Sequence, residues 1–243
     1  MHDLSNMIFA TGCQAVPCAM FGGLFALIIV GIVWGIIRKR KRREELNRLA
    51  AELGFRYYPD DPWGLPTRYA GMDVFQQGHS RKASNILAGE MQGRSVLLFD
   101  YQFTTGSGKD ETTTLYLVGL FEMPILAPRL WLRRESIFDA VASWFGHDDI
   151  GFESTEFSRR YHVKCEERKF AYDIFHARLI EYLLACGNVP ALEMNGPLMV
   201  LYQGQRGIDQ IRRVLTIGTE IIRSTPDYVL HERGVPATRG GQA

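Results

Sequence analysis

Hydrophobic patterning divides the chain into one apolar run and a longer series of short periodic segments. The run is MFGGLFALIIVGIVWGII, residues 20–37, which holds 18 residues without a charge. It is preceded by His2 and Asp3 rather than a basic leader. Six cations follow it at once: Arg38, Lys39, Arg40, Lys41, Arg42 and Arg43. As a helix the run would be about 27 Å long, near the hydrocarbon thickness of a bilayer. The pattern therefore predicts a single N-terminal transmembrane helix rather than a signal peptide or a buried helix. The positive-inside rule then puts residues 1–19 outside and everything after Arg38, including the C-terminal domain, in the cytoplasm. Gly31 and Gly35 lie one turn apart, so two such helices could approach there as a homodimer.

Beyond residue 43 the periods are those of a folded domain. Leu46, Leu49, Ala50 and Leu53 follow helical spacing, with Gly54 as the stop. YYPDDPWGLP, with three prolines, reads as turns. Strands are expected over Met72–Gly78, Ser84–Gly93, Arg94–Phe103, Thr112–Phe121, Arg129–Arg134 and Tyr161–Cys165. Helices are expected over Glu135–Gly146, Arg168–Gly187 and Ile208–Ser224. Asn195-Gly196 predicts a hairpin between two further strands. Helices grouped between hairpin-linked strands mean an α+β fold with a mainly antiparallel sheet. The expected organisation is a short extracytoplasmic leader (1–19), a transmembrane helix (20–37), a basic juxtamembrane stalk helix (38–54), an α+β cytoplasmic domain (55–225) and a flexible tail (226–243).

The stretches LAAELGFRYYPDDP, FQQGHSRKASNILAGEMQGRSVLLFDYQFTTGSGK and STEFSRRYHV resemble a bacterial family of membrane-anchored proteins of unknown function. The resemblance covers most of residues 44–205. It implies an N-terminal span with a soluble domain, and it draws attention to Asn85, Gly89, Asp100, Tyr101 and the stretch from Glu156 to Tyr161. It implies no particular activity.

Composition narrows the picture little. Lys and Arg number 28 against 27 for Asp and Glu, and 46% hydrophobic residues suffice for a core. The four cysteines form no CxxC pair, which argues against a zinc ribbon or a disulfide scaffold. The six cations serve topology first and can contact anionic headgroups second. A run that abuts a membrane span is a poor nucleic-acid site, so no nucleic-acid partner is expected.

The string GSGK invites a phosphate-loop reading. The spacing fails, because Phe103 stands where the first glycine is needed and Asp110 where a hydroxyl is needed. A hairpin loop between strands is expected instead. His79, Arg81 and Asn85 cluster in QGHSRKASN. His79 beside Ser80 does not suggest a hydrolase, since neighbours in an extended chain point to opposite faces. Asp100 lies in an apolar strand beside Tyr101 and needs a partner if buried; Arg81, Arg159 and Arg160 are the candidates. It is either a structural ion pair or a carboxylate lining a pocket. The acids and histidines of GHDDIGFESTEFSRRYH fit no metal pattern, and Glu156 can pair along a helix with Arg159 or Arg160.

No catalytic residue, cofactor or metal site is expected. The chain reads as a single-pass protein of the bacterial inner membrane, a membrane-tethered cytoplasmic interaction module. It would bind an unidentified protein partner or inner-leaflet headgroups. The alternative is a small-ligand sensor or an enzyme with a pocket around Asp100, lined by His79, Arg81, Asn85, Tyr101, Arg159 and Arg160.

Overall fold

Alternating apolar residues over 94–105 and 112–134 build the centre of the molecule. The computed structural model describes residues 15–134 and 149–235; the helix expected over 135–146, most of the leader and the end of the tail lie outside them. The chain divides into two compact units, residues 1–45 and 46–243. Helix α1, Ala15–Leu53, carries residues of both.

The expected transmembrane helix is corrected. Among the described residues no helix is long and apolar enough to cross a membrane.

The second unit is α+β with an antiparallel sheet. Its six strands are β1 (Arg56–Asp60), β2 (His79–Met91), β3 (Arg94–Thr105), β4 (Thr112–Arg134), β5 (Tyr161–Cys165) and β6 (Ala191–Gln203). They run in the order β1-β2-β3-β4-β5, with β6 also paired to β4. Leu117 to Phe121 of β4 lie between β3 and β6, and Leu130 to Leu132 between β6 and β5.

The pleat sends alternate residues to two cores. Val96, Leu98 and Leu117 join the core formed with the end of α1 and with α4 (Arg168–Ile174), α5 (Ala177–Cys186), α6 (Ile208–Arg223) and α7 (Asp227–Arg233). Phe99, Tyr101 and Phe103 join the other, covered by α2 (Leu65–Arg68) and a 3-10 turn at Asp73–Phe75. Helix α6 lies close on β4: a Cβ on Gly218 would come within 2.3 Å of the Phe121 ring, so the helix needs glycine there.

Several local expectations change. The proline-rich stretch contains β1, because Pro59 sits in an edge strand where its missing N–H costs no ladder bond. Asp73–Phe75 is a 3-10 turn rather than strand, with three consecutive buried residues in place of alternation. The strands expected at 112–121 and 129–134 are one 23-residue strand. Asn195-Gly196 makes no hairpin: β6 continues through it, and Gly196 (φ 57°) stands opposite Ala127 where both strands shift register. The helix expected over 168–187 breaks at Phe175-His176 into α4 and α5. There His176 caps α5, accepting from the Leu179 N–H and donating through Nε2 to the Ser224 carbonyl at 2.9 Å. The segment read as a flexible tail begins with α7, whose Val229 is buried.

Candidate functional site

Asp100 lies on β3 on the face of Leu98 and is buried. Across β2, the Asn85 Nδ2 donates to Asp100 Oδ2 at 2.9 Å, and Asn85 Oδ1 accepts from the Tyr57 hydroxyl of β1 at 2.8 Å. Asn85 suits the position because the strand bulges there and its φ is 53°, a conformation asparagine tolerates better than most side chains. The cation that meets Asp100 is Arg206, between β6 and α6, with Nη1 at 3.8 Å from Oδ1. Arg81, Arg159 and Arg160 were the sequence candidates for this partner, and the pair is made by a residue 106 positions away instead (206 minus 100). The result is a chain of polar groups, Tyr57–Asn85–Asp100–Arg206, that ties three strands to the start of α6.

The other sequence-derived positions do not join that chain. Tyr101 points to the opposite core, where it packs edge-on against Phe75 at 5.1 Å. Its hydroxyl is buried without a hydrogen-bond partner among the described residues. Burial pushes this phenol up to about 12, against the pull of the Arg81 charge nearby. Arg81 donates to the Gln76, Gln77 and Gly78 carbonyls. His79 and Ser80 do meet, contrary to expectation: Ser80 adopts φ 52° at a bulge, which brings its Oγ to 3.1 Å from Nδ1. Nε2 must donate to the Gly106 carbonyl at 3.2 Å, so the exposed pair pins the GSGK loop to the start of β2. Lys109 sits in the short turn Gly108–Asp110 between β3 and β4, a hairpin tip as expected. Arg159 and Arg160 are exposed on α3 (Thr155–Arg160), where Arg160 pairs with Glu156 at 2.5 Å.

A second buried acid escaped the sequence reading. Glu193 of β6 is fully buried between Leu192 and Met194 of the helix-side core, and so faces the other side. Its carboxylate accepts from the backbone N–H of Asp73 at 2.7 Å and, more weakly, of Val74 at 3.4 Å. Asp73 in turn accepts from Trp131 Nε1 at 2.9 Å and faces Arg129 at 3.8 Å. Burial, together with the neighbouring Asp73 charge, raises Glu193 to about 7 despite the two N–H donors and Arg133. The signal was the same as for Asp100, a lone acid in an apolar strand, but the Asn-Gly that follows drew attention to a turn.

On α1, Ile29, Val30, Val33, Trp34, Ile36 and Ile37 are exposed. The cations Arg38 to Arg43 follow, all exposed except half-buried Arg42, and the Arg38 guanidinium lies over the Trp34 ring at 5.1 Å. A Cβ on Gly31 or Gly35 would meet nothing within 4 Å. Among the described residues no three of His, Cys, Asp and Glu gather as metal ligands. Burial raises the Cys165 thiol to about 11, which makes it a poor nucleophile.

The chain matches no protein-family model and no curated protein sequence. Its fold is similar to the crystal structure of the mycobacterial trehalose monomycolate transport factor A, TtfA, with TM-score 0.55 and 13% sequence identity over 80% of this chain and 97% of that one. At that identity the likeness concerns the fold.

Proposed function

We propose that the chain is a non-catalytic interaction module that works at the cytoplasmic face of a membrane, the bacterial inner membrane. The observation that carries this reading is the exposed middle of α1: six large apolar side chains lead directly into six consecutive cations. Apolar groups favour the acyl boundary, while each cation near an anionic leaflet contributes about 1 kcal/mol. Trp34 beside Arg38 suits the headgroup level. The similarity in fold to a protein described as a transport factor is compatible with a membrane-related interaction role.

A catalytic role gains no support from the polar groups. Asp100 is engaged by Asn85 and Arg206, and His79 with Ser80 fastens a loop in open solvent. His79, Tyr101, Arg159 and Arg160 do not converge on Asp100 to line a pocket.

Vesicle sedimentation of the full-length chain tests the reading. Binding to vesicles rich in phosphatidylglycerol is expected to exceed binding to phosphatidylcholine, to weaken with salt, and to drop at least about tenfold when all six cations become glutamine. Equal binding to both vesicle types, or indifference to the six substitutions, would sink it.

A further inference from the structure

Beside β1, β2 and α2 lies a cleft of about 420 Å³, lined among others by Asp60, Asp61, Gly64, Thr67, Arg81 and Lys82. Its volume is that of a small-molecule site. Two acids and two bases line one space, yet no ion pair joins an acid to a base there. Asp60 and Lys82 have no side-chain partner among the described residues. Asp60 stands opposite Ser84 in the sheet, which puts Lys82 on the diagonal, with roughly 7–8 Å between the two positions.

The four charges are not equally available. Asp61 accepts from the Trp63 N–H at 3.0 Å and the Leu65 N–H at 2.7 Å, which turns the chain into α2. Arg81 donates through Nε and Nη2 to three backbone carbonyls, so its guanidinium is fixed in place with Nη1 left over. Close to Arg81 is the orphaned Tyr101 hydroxyl, and Tyr101 pairs across the sheet with Ala83, itself in the cleft wall. Buried hydroxyls without a partner are uncommon, and this one is a donor lacking an acceptor. One end of the cleft thus offers Arg81 and Lys82, with Tyr101 in the core across the sheet from the wall residue Ala83. The other offers the Asp60 carboxylate.

We propose that this cleft binds a small zwitterion, a phosphomonoester of an amino alcohol, with its phosphate on Arg81 and Lys82 and its ammonium on Asp60. Phosphate suits the cationic end better than carboxylate because two cations match its second negative charge, and arginine with lysine is the usual pair for it. The group could come from a free ester or from a lipid headgroup. The proposal does not depend on how α1 meets a membrane.

Calorimetric titration of the full-length chain with O-phosphoethanolamine tests it, with inorganic phosphate and ethanolamine as separate titrants. Saturable binding of the ester is expected, at least about tenfold tighter than either fragment, because both ends contribute. Asp60→Asn and Lys82→Gln should each weaken it about tenfold. Asp60 and Lys82 are exposed, so these two variants keep their fold, checked by circular dichroism. Absence of ester binding, phosphate binding just as tightly, or unchanged affinity in both surface variants overturns the proposal. Vesicles containing phosphatidylethanolamine separate the sources: displacement of the bound ester identifies the headgroup as the ligand, and retention identifies the free ester.

Discussion

Asp100 and Glu193 are both acids set in apolar strands of one sheet, on opposite faces, and they are accommodated in different ways. Asp100 meets side chains: the Asn85 amide and a guanidinium that is itself one-third exposed. Glu193 accepts from backbone N–H groups and lies near the charges of Asp73 and Arg133, with no water-exposed surface at all. Burial first, and the Asp73 charge after it, raise Glu193 toward neutrality.

The contrast can be broken most sharply at Glu193. Glu193→Ala leaves the Asp73 and Val74 N–H groups buried without their acceptor and removes a negative charge near Arg133. It should cost about 3–5 kcal/mol in urea unfolding. A loss below about 1 kcal/mol would mean that the 3-10 turn is held by other contacts.

The next effect is pH dependence. Glu193 has a folded pKa of about 7 against an ordinary 4.5, so between those values the folded chain binds more protons than the unfolded one. The Glu193 contribution therefore makes stability fall as pH rises through this window, by on the order of 2–3 kcal/mol, and then level off. Glu193→Gln should remove that slope while Asp100→Asn keeps it. Chemical denaturation at pH 5 and pH 7.5 distinguishes the two, and an unchanged slope in Glu193→Gln would refute the assignment.

The smallest effect belongs to the other face. Asp100→Ala removes a partner from Asn85 and Arg206, but Arg206 can turn to solvent. A loss of about 1–2 kcal/mol is expected, below that of Glu193→Ala. If the order were reversed, the Asp100 chain rather than the 3-10 turn would be the more important fastening.

The sequence was legible where a period was sustained and local. The alternation of 94–103 and the helical spacing of 208–224 matched β3 and α6, and Gly54, at φ 71°, ends α1. Punctuation residues misled where tertiary pairing overrode them. Pro59 is tolerated at a sheet edge, and Asn195-Gly196 bends β6 instead of reversing it. Asp100 announced itself as a lone acid, but Arg206 could not be found, since no spacing rule links positions brought together by the sheet. Tyr101 was noticed beside Asp100, and the pleat then sent the two to different cores.

The doubly paired strand β4 has a kinetic meaning. Its hairpin with β3 closes over a few residues, while its bonds to β6 join Leu132 to Leu192 and Leu117 to Gln203. Such distant closures form late and slow folding. The strand at the middle of the sheet must wait for β6 to cover its open edge. During synthesis, that edge is the part of the protein most exposed to wrong partners.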